Sequence, residues 1–398
     1  MRAFLLRCWI VAALTAFTAG QTRLPAGNPA DLGMAPERLG RIDGLVAEAI
    51  ARAEIPGAVV VVAHRGQVVY RRAFGQRSIA PAREPMTVET IFDAASLTKV
   101  MATAPAIMIL SEEGRVSLSD PAANYIPEFA QHEKDKITVL QLLTHYSGLR
   151  PDLDLDTAWQ GHDQSIALAC AEKPIARPGE KFIYSDINYV VLGEIVRRVG
   201  GKSLAEFAAE RIFRPLGMTQ TGFLPDSALA AGIAPTEPRD GVMLRGAVHD
   251  PTAARMGGVA GNAGLFTTVD DLAVYAQMLL NLGAYGETRI LSPLGVLAMT
   301  TTRSPAGAAV ERGAGFDISS PYSSVRGDLF PAGSFGHTGF TGTSLWIDPL
   351  TQTVVIVFTN RLHPDGKGNA TPLRKRIASV VAASILDVPG ISDLYGKD

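Results

Sequence analysis

A serine and a lysine three residues apart, Ser96 and Lys99, sit at the mouth of a strongly apolar run, Ile91 to Leu110 (IFDAASLTKVMATAPAIMIL). On a helix, that spacing puts both side chains on one face. A serine hydroxyl is a weak nucleophile until a neighbouring group takes its proton. The Lys99 amine could take it if neutral, and a dry wall of residues such as Val100, Met101, Ile107 and Met108 would favour the neutral form. A helix start at Ser96 would also aim free N–H groups at a developing anion. The bland alternative is a capped helix with a solvent-facing lysine, and an S-x-x-K tetrad alone does not exclude it.

The rest of the chain bounds the choice. Its 398 residues are 47% hydrophobic and 19% charged, which suits a globular protein with a large core. Lys plus Arg (37) nearly balance Asp plus Glu (39), so no basic field points to nucleic acid. Residues 1–20 read as a cleaved secretory signal: Arg2 and Arg7 precede an apolar stretch from Cys8 to Ala19, too short to span a bilayer. Its removal would shift the net charge from -2 to -4 and leave Cys170 as the lone cysteine. The expected location is therefore a bacterial periplasm or the medium, with no stable membrane span after cleavage.

The elements that must position Ser96 and Lys99 follow from periodicity. Leu39, Ile42, Leu45, Val46, Ala49 and Ile50 have helical spacing. Ala58 to Ala63 (AVVVVA) and Val68 to Phe74 flank Arg65-Gly66-Gln67 as a hairpin. Thr138 to Leu143 reads as a helix ending at His145, which is expected to be a hydrogen-bonded structural histidine. Tyr189 to Val199 and the segment from Thr267/Thr268 to about Leu280 are further helices. Gly336 to Pro349 and Thr353 to Thr359 read as a second hairpin, and residues 372–386 as a closing helix. Strands lie at both ends, with a mostly helical middle. The expected fold is α+β: an antiparallel sheet flanked by helices, from about 35–95 and 290–390, with an inserted helical lobe at about 96–289.

Taken together, Ser96-Leu97-Thr98-Lys99, Tyr184-Ser185-Asp186 and His337-Thr338-Gly339 resemble the serine β-lactamase-related family of class C β-lactamases, D-alanyl-D-alanine peptidases and family VIII carboxylesterases. Supporting stretches such as LLTHYSGL, AGLFTTVDDLA and VIVFTNR extend the resemblance from about residue 35 to 385. It implies roles. Ser96 would be the acylated nucleophile, Lys99 its hydrogen-bonded partner, and Tyr184 a partner in proton transfer. Backbone N–H groups of Ser96 and Phe340 would form the oxyanion hole. Asp186, His337, Thr338 and Gly339 would line the substrate site.

Two departures bear on the substrate. The family's third motif often begins with a lysine that helps hold a substrate carboxylate; here it is His337, largely neutral at pH 7. That weakens the expectation for β-lactams and peptides with a free terminal carboxylate. Arg361 or Lys367 could substitute, although each reads first as an ordinary surface charge. Asp186 stands where the family often has asparagine. Its carboxylate could keep Lys99 charged and leave Tyr184 as the base, or could orient a substrate ammonium or amide. No H-E-x-x-H, G-x-S-x-G or phosphate-binding glycine loop occurs. Neither metal nor cofactor is expected. The sequence thus points to an exported serine hydrolase for D-amino-acid peptides of cell-wall type or small carboxylic esters. The alternatives are a class C-like β-lactamase and a penicillin-recognising binding protein without turnover.

Overall fold

The computed structural model describes residues 23–388, so the expected signal at 1–20 lies outside the described residues. The hydrophobic pattern of Ala58 to Ala63 sets the layering. As a strand it sends alternate side chains to opposite faces. Val59, Val61 and Ala63 enter the larger core, which also takes in the apolar run behind Ser96. Ala58, Val60 and Val62 enter a second core against the terminal helices. Both faces are covered, which is why this strand reads as an unbroken apolar run.

It belongs to an eight-stranded sheet in which every neighbouring pair is antiparallel. In chain order the strands are β1 (Gly57–His64), β2 (Gln67–Ser78), β3 (Glu84–Pro85), β4 (Glu311–Arg312), β5 (Asp317–Ser319), β6 (Phe335–Thr338), β7 (Thr343–Asp348) and β8 (Thr353–Thr359). Their spatial order is β4-β5-β6-β7-β8-β1-β2-β3, so N-terminal and C-terminal strands meet at the β8–β1 pair. One face carries helices α1 (Arg41–Ala51) and α5 (Thr371–Ser384); Ile42 and Val46 of α1 and Leu373, Ile377 and Val381 of α5 fill the second core. Against the other face packs α4 (Val269–Leu280); α2 (Ala104–Glu112) and α3 (Asp186–Gly200), packed on each other, share the larger core with it. Thr268 caps α4 by accepting the Asp271 N–H, while Thr267 belongs to a short strand.

One expected element divides. Gly336 to Pro349 is not a single strand: β6 ends at Thr338 and β7 begins at Thr343. Gly342 has φ +124°, which glycine adopts readily. A Cβ on Gly339 would collide with Thr343 Oγ1 and the Ala94 carbonyl. The turn therefore presses the end of β6 against the segment just before Ser96. No helix among the described residues is long and apolar enough to cross a membrane.

Candidate active site

Ser96 follows a short strand, Phe92–Asp93, and a residue, Ala95, held at φ +47°. The Asp93 carboxylate accepts the Ala95 N–H at 2.8 Å and the His249 N–H at 2.7 Å, so the bend is tied down on two sides. Helical backbone starts at Leu97, widens to a π-turn over Lys99–Thr103 and continues as α2. The widened turn lets Thr103 Oγ1 donate to the Gly261 carbonyl, and the neighbouring Asn262 carbonyl faces Lys99.

Lys99 is fully buried; its ammonium makes two hydrogen bonds and one close ion pair. Nζ lies 3.0 Å from Ser96 Oγ, 3.0 Å from the Asn262 carbonyl and 2.6 Å from Asp186 Oδ1. The apolar wall pulls its pKa down, but the Asp186 carboxylate and the Tyr184 phenol outweigh burial and hold it above the ordinary value. Of the two states left open by the sequence, the pairing with Asp186 favours a charged Lys99 over the neutral amine that the apolar run alone would give. Asp186 is there because α3 begins at that residue and its N–H donates to the Pro151 carbonyl at 2.6 Å.

Tyr184 comes from the segment leading into α3. Its ring centroid is 5.1 Å from Lys99 Nζ and 4.3 Å from the His145 ring, which stacks on it. His145 Nδ1 accepts the Ser185 N–H at 3.1 Å, so a neutral His145 carries its proton on Nε2. Burial, aided by Arg312 and Lys99, keeps it from charging. Burial raises the Tyr184 pKa, against the pull of Lys99 and of a hydrogen bond with Ser96.

The third segment closes the site. His337 is buried on β6 with Nδ1 2.9 Å from the Thr338 carbonyl, and burial with nearby Arg312 and Lys99 drives its pKa well below the usual range. It stays neutral rather than acting as a pH-dependent cation. Among the described residues, the backbone N–H groups of Ser96 and Phe340 have no protein acceptor. Ser96, Tyr184, His337, Thr338, Gly339 and Phe340 all line one cavity of about 380 Å³.

Other residues there are not found by motif. Arg312, Arg361 and Arg374 also line the cavity, and Tyr322 stands 5.3 Å from the Tyr184 ring. Lys367 does not join them; it pairs with Asp365 at 2.6 Å on the surface. Behind Lys99, carboxylate oxygens of Asp152, Asp186 and Asp250 lie within 4.8 Å of one another. Burial and this crowding push Asp152 up to about 6 and raise Asp250 as well. Lys99 supplies the counter-charge.

Comparison with known proteins agrees with this architecture. The family model described as Beta-lactamase matches residues 42–379. A protein of Escherichia coli O157:H7 named "Putative D-alanyl-D-alanine carboxypeptidase" is 33% identical over 378 residues, covering 85% of this chain and 86% of that one. A penicillin-binding protein homologue from Caulobacter crescentus superposes with a TM-score of 0.72 at 25% identity, over 88% of this chain and 99% of that one. A family VIII carboxylesterase shares the fold at a TM-score of 0.68 and 22% identity, over 88% and 99% of the two chains.

Proposed function

The chain belongs to the Beta-lactamase family of hydrolases, and we propose that it works through an acyl-enzyme on Ser96, hydrolysing D-amino-acid peptides of cell-wall type or small carboxylic esters. On the reading of residues 1–20 as a leader, the reaction takes place outside the cytoplasm. The observation that carries the proposal is the chain of contacts from Ser96 Oγ to Lys99 Nζ (3.0 Å) and on to Asp186 (2.6 Å), with the Tyr184 phenol against the same ammonium.

Lys99, held charged, orients Ser96 and lowers the cost of negative charge on Tyr184. In molecules whose Tyr184 has first given its own proton to solvent, the Ser96 proton passes to the phenolate oxygen as Oγ bonds to the substrate carbonyl carbon. The carbonyl oxygen then takes its negative charge between the Ser96 and Phe340 N–H groups. Such a donor is worth on the order of 10²–10³ in rate. Tyr184 returns the proton to the departing amine or alkoxide, leaving the acyl group on Ser96. In the second half a water attacks, gives its proton to Tyr184, and Ser96 leaves with that proton.

The test sets a D-Ala-D-Ala peptide, a short-chain p-nitrophenyl ester and nitrocefin side by side, with wild type and Ser96→Ala. Turnover of the peptide or ester that disappears in Ser96→Ala is expected. Nitrocefin turnover far above both would replace this reading with that of a β-lactamase. Stoichiometric labelling without turnover would replace it with that of a binding protein.

A further inference from the structure

Phe340 supplies one of the two proposed oxyanion donors, yet it is 63% exposed, so burial in a core does not hold it in place. Two neighbours do. The His249 ring stacks on the Phe340 ring, with centroids 5.7 Å apart and planes 25° from parallel. The Arg361 guanidinium lies 4.4 Å from the centre of the same ring, and its Nε donates to the Phe340 carbonyl at 2.6 Å. His249 is fixed in turn. Its Nε2 lies 2.5 Å from Glu237 Oε1, and its main-chain N–H donates to Asp93 Oδ2 at 2.7 Å.

The two donors meet at Asp93. Its other carboxylate oxygen, Oδ1, accepts the Ala95 N–H at 2.8 Å and steadies the positive φ that turns the chain into Ser96. Its main-chain carbonyl accepts Thr341 Oγ1 at 2.7 Å, one residue past Phe340. One residue thus grips the chain just before the first donor and just after the second, and through His249 it also props the ring of the second. A carboxylate is a costly choice for this place. Asp93 is 3% exposed, and burial pushes its carboxyl up to about 6. An asparagine would fill the same space without charge, but it has one acceptor oxygen, and its NH₂ would face one of the two N–H groups. The carboxylate accepts from both.

We infer that Asp93, acting with His249, is a positioning residue for the oxyanion: it sets the separation and aim of the Ser96 and Phe340 N–H groups. The inference rests on the Ser96 hydrolase reading and adds to it two residues that touch no reacting atom. Asp93 acts on the first donor through Ala95 and on the second through Thr341 and the His249 ring.

The test compares wild type, Asp93→Asn and His249→Ala, each normalised to active sites counted by fluorophosphonate titration to completion. Two quantities are read per site. One is kcat/KM for p-nitrophenyl acetate. The other is the Ki of phenylboronic acid, whose tetrahedral adduct on Ser96 places an oxygen where the oxyanion forms. In Asp93→Asn, kcat/KM should fall tenfold or more, towards the roughly 10²–10³ of a lost donor, and Ki should rise by a comparable factor. His249→Ala should show the same paired change to a smaller extent. A purely structural role would lower the number of active sites and leave Ki per site as in wild type; that result would overturn the inference alone. If Asp93→Asn does not fold, His249→Ala decides by the same two readings. Wild type without Ser96-dependent turnover of the ester would overturn the inference together with the hydrolase reading.

Discussion

The two ends of the cavity treat charge in opposite ways. Behind Ser96, Lys99 is matched by Asp186 at 2.6 Å, and Asp152 and Asp250 crowd in behind. Beyond Phe340, Arg361 and Arg374 satisfy themselves on carbonyls and keep their charge unanswered. The first end closes its electrostatics within the protein, which fixes the protonation states that chemistry needs. The second leaves them open, which suits a group that arrives and departs.

The sharpest way to break this contrast is at the closed end. Tyr184→Phe keeps the ring stacked on His145 but removes the oxygen that carries the proton. It should lower kcat on a p-nitrophenyl ester by about 10²–10⁴-fold while leaving the melting temperature nearly unchanged. A loss below tenfold would move the base elsewhere. Between the two ends, Gly339→Ala would force a Cβ into Thr343 Oγ1 and the Ala94 carbonyl, displacing Phe340 from Ser96. A fall of about 10²–10³ in kcat is expected, the worth of one misplaced oxyanion donor.

Asp186→Asn probes the pairing itself. Its carboxylate raises the pKa of both Lys99 and Tyr184, so removing it lets whichever group accepts the Ser96 proton do so at lower pH. The rising limb of kcat/KM against pH should move down by roughly one unit or more. An unmoved limb would mean that the pair does not set the base.

The smallest effect is on stability. Asp152 has its folded pKa raised to about 6, above the unfolded carboxylate value. Its contribution to stability is therefore full below about pH 4 and is lost as pH rises through 6. Asp152→Asn should stabilise the fold by about 2 kcal/mol at pH 7.5 and by much less at pH 4, read from urea unfolding at the two values. Equal effects at both would show that burial and the neighbouring carboxylates do not raise the folded pKa of Asp152.

The closed end was partly legible in the sequence and the open end hardly at all. Ser96, Lys99, Tyr184 and Asp186 fall in short motifs whose types announce chemistry, and the strand alternation of Ala58 to Ala63 announces the sheet. Asp186 was the letter that left the state of Lys99 open, and its position 2.6 Å from Nζ favours the charged form. Asp152 and Asp250 stand alone in loops and join Asp186 only through folding. Arg374 reads as one more charge in a helix with other basic residues, although its spacing from Ile377, Ala378 and Val381 puts it on the buried face. Gly336 to Pro349 looks continuous because alternation persists on both sides of the turn that Gly339 and Gly342 make.

The central claim, that Ser96 is the acylated residue, is tested most directly by intact-mass and peptide mass spectrometry after exposure to a fluorophosphonate probe. The account predicts one adduct per chain, located on the peptide containing Ser96 and absent from Ser96→Ala. An adduct on another residue, or undiminished labelling of Ser96→Ala, would contradict it.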